Sequence, residues 1–149
     1  MALLTFSHIA LTCKDPLAIE RFYSRYFGFK RARVVELGNS QIVFLKMGNI
    51  YLELFQSSAE SSVPTAQGSG AEYPGWRHLA FMVDDVDARL AEIGTAAQIT
   101  AGPMNFNDVI YGWRSAWLAD PEGNIIEISQ GFVDQENPPP PPVVASTFI

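Results

Sequence analysis

An α+β fold built from two tandem β-α-β-β-β units is expected from three features of this sequence. There is an internal repeat, the apolar spacing alternates between strand and helix periods, and glycine turns separate the strand-like runs. The repeat aligns His8-Ile9-Ala10-Leu11-Thr12-Cys13-Lys14-Asp15 with His78-Leu79-Ala80-Phe81-Met82-Val83-Asp84-Asp85 at an offset of 70 residues, which Ala18/Ala88 also keeps. Farther on, Leu52-Glu53-Leu54-Phe55-Gln56 matches Ile126-Glu127-Ile128-Ser129-Gln130 at an offset of 74, the difference being loop length.

The elements follow in order. Segments 6–13 and 78–83 are short apolar runs rich in β-branched and aromatic residues, which predicts strands buried on both faces. Asp15 caps a first helix opened by Pro16, with Ile19, Phe22, Tyr23, Tyr26 and Phe27 at helical spacing and Gly28 as its stop. Asp85 caps the second, with Val86, Leu90 and Ile93 as its apolar stripe and Gly94 as its stop. Strand patterns then occupy 33–36, 41–46 and 50–55 in the first unit and 98–100, 114–118 and 125–130 in the second. Gly38-Asn39, Gly48-Asn49 and Asp120-Pro121-Glu122-Gly123-Asn124 are the turns between them. The chain therefore divides into a first unit at 1–56, a Ser/Ala/Gly/Pro-rich linker at 57–75, a second unit at 76–132 and a proline-rich tail at 133–149. The run from Pro138 to Pro142 predicts extended polyproline II lying over the surface.

Composition narrows the function. The 149 residues are 48% hydrophobic and 12% aromatic, enough for a packed single-domain core and against a disordered chain. A net charge of -6 without a basic cluster gives no footprint for nucleic acid. No apolar run spans a bilayer, the first residues lack a leader pattern, and the single Cys13 excludes an intrachain disulfide, so a cytoplasmic location is expected. A small-molecule or protein partner remains.

Chemistry concentrates at matched places in the repeat. Both histidines of the chain, His8 and His78, open the first strand of a unit, and Glu53 and Glu127 each interrupt an apolar last strand. Alternate strand residues share a face. His8, Ala10 and Thr12 thus line one face, as do Tyr51, Glu53 and Phe55, while the leucines and isoleucines face the helix. The same parity holds for His78, Ala80 and Met82 and for Ile125, Glu127 and Ser129. Two such sheets facing each other would join four donors, two imidazoles and two carboxylates with no thiolate. That set suits Zn, Ni, Mn, Fe or Co with open coordination positions rather than a closed structural zinc. It would also offset two carboxylates that are costly to bury unpaired.

The segments HIALTCKDPLAIERFYSRYFGFKRAR, YLELFQ, GWRHLAFMVDDVDARLAEIG and WLADPEGNIIEISQ resemble the vicinal oxygen chelate superfamily, over roughly residues 4–132. That superfamily includes glyoxalase I, methylmalonyl-CoA epimerase, extradiol dioxygenases and the fosfomycin and bleomycin resistance proteins. The resemblance implies paired modules forming an open curved barrel around a divalent metal, with the ligand role carried onto His8, Glu53, His78 and Glu127. It implies a metal that chelates vicinal substrate oxygens and stabilises an enediolate-like oxyanion. Glu53 or Glu127 would serve as the base that removes a proton beside the carbonyl. A fourth ligand, Glu53, favours the glyoxalase I and epimerase types over the thiol transferases and extradiol dioxygenases. Two departures bear on the substrate. Thr12 stands where bacterial glyoxalase I usually has an Arg for the glutathione carboxylate, and 41–45 has no acid where methylmalonyl-CoA epimerase carries its catalytic Glu.

The expected activity is therefore that of a metal-dependent lyase, isomerase or epimerase acting on a small carbonyl or hydroxy-carbonyl substrate. The alternatives are a non-catalytic, antibiotic-sequestering binder with an aromatic groove, or an extradiol dioxygenase-like enzyme. Candidate pocket residues are Phe44, Tyr51, Phe55, Met104, Phe106, Tyr111, Trp113 and Arg114, with 103–112 as a lid. Arg114 is read either as an anion-binding group or as a structural partner of Asp120 or Glu122. A homodimer is expected, since relatives build the site across subunits and open sheet edges need cover.

Overall fold

The computed structural model describes residues 4–141; Pro142 and the rest of the tail lie outside them. Two four-stranded sheets form, each wound as a β-α-β-β-β unit. In the first, β1 (His8–Cys13) leads through α1 (Pro16–Phe27) to β2 (Lys30–Leu37), β3 (Ser40–Met47) and β4 (Ile50–Gln56), in the spatial order β1-β4-β3-β2. In the second, β5 (Leu79–Met82) leads through α2 (Val86–Ile93) to β6 (Gln98–Asn105), β7 (Arg114–Ala119) and β8 (Ile125–Gln130), in the order β5-β8-β7-β6. The first strand of each unit pairs parallel to the last, and the remaining pairs are antiparallel.

Local chemistry sets these boundaries. Asp15 Oδ1 accepts from Ala18 N at 3.0 Å and Asp85 Oδ1 from Ala88 N at 2.9 Å, which satisfies donors that each helix start would otherwise leave free. Gly28 closes α1 at φ 72, a left-handed conformation that glycine adopts without a Cβ penalty. Gly38 and Gly48 turn the first two hairpins.

A single core joins the helix sides of both sheets. Ile19, Phe22, Tyr23 and Phe27 of α1 bury against Val43, Leu45, Leu52 and Leu54, and against the second unit. The Phe27 and Phe81 rings lie 4.5 Å apart, Tyr23 donates its hydroxyl to Asp120 Oδ2 at 3.3 Å, and Arg89 Nη1 donates to the Tyr26 carbonyl at 3.1 Å. The helices thus bind the units together. The opposite face of the first sheet is left open, while on that of the second Ser115, Trp117, Ile125 and Ser129 are buried and Met82 and Met104 exposed. This corrects the expectation of first strands buried on both faces. Burial in β1 alternates, with His8, Ala10 and Thr12 exposed, because the core lies on the Ile9, Leu11 and Cys13 side.

Candidate metal and substrate site

Register places the donors. His8 stands opposite Tyr51 and Ala10 opposite Glu53, so His8 and Glu53 are diagonal neighbours on the open face. His8 Nε2 lies 3.2 Å from Glu53 Oε2, with the carboxylate only 14% exposed. Ala80 stands opposite Glu127, and His78, one residue before β5, takes the equivalent diagonal, its Nε2 2.9 Å from Glu127 Oε2. Each pair has an aromatic residue directly opposite its Glu. Phe44 faces Glu53 and meets the His8 ring edge-on at 6.0 Å; Trp117 faces Glu127 and meets the His78 ring at 6.4 Å.

The second pair is the more constrained. His78 Nδ1 lies 3.0 Å from the Ser69 carbonyl, which only accepts, so Nδ1 carries a hydrogen. Nε2 then turns its remaining valence toward a carboxylate oxygen. Two lone pairs at 2.9 Å repel unless a proton or a cation lies between them. The donor set therefore fits a divalent metal: borderline imidazole nitrogens, hard carboxylate oxygens, and an outer carbonyl fixing one imidazole.

The four donors stand as two pairs. Among the described residues, no three His, Cys, Asp or Glu side chains of the one chain converge closely enough to enclose an ion. Both imidazoles do border a common cavity of about 580 Å³ between the starts of β1 and β5, roofed by linker residues such as Val63 and by the exposed Trp76.

The candidate pocket residues separate by face. Phe44, Tyr51 and Phe55 share the Glu53 face, and Met104, opposite Ser115, shares that of Glu127. Phe106 stacks on Trp113 at 4.7 Å and meets Trp117 at 6.3 Å, while Trp113 donates to Ser129 Oγ at 2.9 Å, so this cluster closes the end of the second open face. Tyr111 is 93% exposed. Arg114 is a correction: it sits two and four residues from Ala116 and Leu118 on the core side of β7. There its Nη2 pairs with Asp87 at 2.9 Å and its Nη1 donates to Asn105, so its partner is neither Asp120 nor Glu122. The lid is corrected too, since Pro103, Met104 and Asn105 belong to β6 and only 106–113 connect the strands. Three residues that the sequence reading passed over also face the open side of the first sheet, namely Lys30, Arg33 and Lys46; parity with Phe44 signals Lys46, while Lys30 and Arg33 share the face only because the register shifts between Arg31 and Arg33, which the sequence pattern does not announce.

The Glyoxalase/Bleomycin resistance protein/Dioxygenase superfamily model matches residues 5–128. The chain belongs to this superfamily. Among curated relatives, virulence protein STM3117 of Salmonella typhimurium is 27% identical, over 83% of this chain and 81% of its own. A glyoxalase family protein from Enterococcus faecalis is 26% identical with a TM-score of 0.64, over 84% of this chain and 96% of that one. The fold is also shared with the fosfomycin resistance protein FosX from Listeria monocytogenes, solved with Mn(II) and sulfate, at 16% identity and a TM-score of 0.62 over 89% and 96% of the two chains. No helix among the described residues is long and apolar enough to cross a membrane.

Proposed function

We propose that His8, Glu53, His78 and Glu127 hold one divalent transition metal, and that the protein is a metal-dependent isomerase, epimerase or lyase acting on a small substrate with vicinal oxygens. The observation that carries this reading is the His78–Glu127 contact, where a carbonyl-fixed imidazole presents Nε2 to a carboxylate at 2.9 Å. Its repetition at His8 and Glu53 supports a shared role, since the two pairs stand at equivalent register in the two units.

Bound there, a divalent cation supplies Lewis-acid polarisation of a carbonyl oxygen and charge that offsets an adjacent oxyanion. The chain's own groups do the rest. Glu53 and Glu127, 14% and 12% exposed, are the two carboxylates positioned to take a proton from carbon beside the carbonyl and return it. Phe44 and Trp117, opposite them, hold the imidazole rings edge-on and keep water from the carboxylates. Completion of the set requires the two pairs to meet, which the open faces favour in a homodimer: β1 and β5 expose alternate residues along one side, including Met82 at 60%.

Solvent deuterium incorporation tests the reaction class. With the metal-loaded protein, an α-hydroxyketone or hemithioacetal is expected to exchange its carbon-bound proton with D2O, and Glu53→Gln or Glu127→Gln to slow the exchange about a hundredfold or more. No exchange with any such substrate and any of Zn, Ni, Mn, Fe or Co contradicts the reading.

A further inference from the structure

The two open faces are equivalent in their donors but opposite in their surroundings. Following the register outward from the Glu53 pair, one row runs His8, Tyr51, Lys46, Lys30 and the next Ala10, Glu53, Phe44, Arg33. Lys46 and Lys30 are directly opposite one another, with Arg33 on the adjoining row, an arrangement of like charges that destabilises a sheet unless an anion joins it. All three are exposed, and the ion pairs formed among the described residues involve other cations: Lys14, Arg31, Arg89 and Arg114. Lys46 Nζ lies 5.1 Å from the centre of the Tyr51 ring, beside His8. The equivalent face of the second sheet carries Ala80, Met82, Ala101, Met104, Ser115 and Trp117, with no cation.

We infer that the first open face is the anion-binding half of the site: Lys46, Arg33 and Lys30 bind a dianionic group of the substrate, a phosphate monoester or a pair of carboxylates, whose vicinal oxygens lie at the His–Glu pairs. This rests on the metal-site reading for the reacting end only. In a chain of net charge -6, three unpaired cations on adjoining rows are a local reversal of sign that steers and holds an anion. Lys46 stands opposite Tyr51 and is therefore a diagonal neighbour of Glu53, about 7–8 Å away across the two strands, a span that a small substrate with a reacting end and an anionic end bridges.

The test uses the whole chain and no metal. Amide NMR titrations with inorganic phosphate, and separately with succinate, are expected to give saturable shifts clustered at Lys30, Arg33 and Lys46. These are lost in Arg33→Gln/Lys46→Gln, while the amides of Leu118 and Ile126 keep their positions. Tighter saturation by phosphate identifies the phosphate monoester, and tighter saturation by succinate the dicarboxylate. Shifts spread over Lys14, Arg21 and Arg25, or equal and unsaturable responses to both anions and chloride, overturn the proposal. Because no metal is needed, this failure is distinct from failure of the metal site. In the metal-loaded protein, dihydroxyacetone phosphate is expected to bind about tenfold tighter than dihydroxyacetone, and the advantage to vanish in the double variant. Equal affinities in the unaltered chain overturn it.

Discussion

Asp120 shows how one buried side chain holds a turn and ties the units together. Its Oδ1 accepts from the amides of Glu122 and Asn124, and its Oδ2 from the Asn124 side chain and the Tyr23 hydroxyl. Asp120→Ala strands these donors and is expected to cost about 3 kcal/mol in chemical denaturation. Burial nevertheless raises its pKa above the ordinary 3.8, outweighing the hydrogen bonds. A raised carboxyl binds its proton more readily when folded, so its contribution is present at low pH and is lost as pH rises from 3.8 through the raised value. Stability relative to Asp120→Asn should fall across that window, and a widening advantage would contradict the assignment. Burial, then the negative charges of Glu122, Asp120 and Asp15, push the Cys13 thiol up to about 12. It should therefore resist Ellman's reagent at about pH 8 until the protein unfolds.

At the scale of elements, most of the fold was legible because its signals are local. Asp15 with Pro16, Asp85, and the Gly38 and Gly48 turns each specify a boundary through backbone chemistry within a few residues. Asp15→Ala is expected to lose about 1 kcal/mol on thermal or chemical unfolding, and no loss would remove the capping assignment. The placement of His8 beside Glu53 and of His78 beside Glu127 was legible for a related reason, since their positions repeat and strand parity fixes their face. What was not legible depended on distant partners. Arg114 turns to the core side because its strand parity matches Ala116 and Leu118, and α2 brings Asp87 to meet it. The β6 strand runs past its short apolar pattern because β7 supplies partners as far as Asn105. Loop 106–113 is held by Gly131, at φ 73, where a Cβ would collide with the Gly112 carbonyl, so Gly131→Ala should displace the loop and the Phe106–Trp113 stack with it. Unchanged Trp fluorescence in that variant would argue otherwise.

For the whole molecule, one core lies between the helix sides of the sheets, and both donor pairs face outward. That arrangement leaves the pairs apart in a single chain, and the proposed centre needs a second copy to bring them together. If so, mixing His8→Ala and His78→Ala chains regenerates intact sites in mixed dimers, about a quarter of the total with random pairing. The metal content of dialysed protein tests the central claim most directly, measured for the unaltered chain and for His8→Ala and His78→Ala separately. One centre built from both pairs requires about one transition metal per chain, lost in each single variant. No metal after incubation with Ni, Zn, Mn and Fe, or metal that survives removal of either histidine, would contradict it.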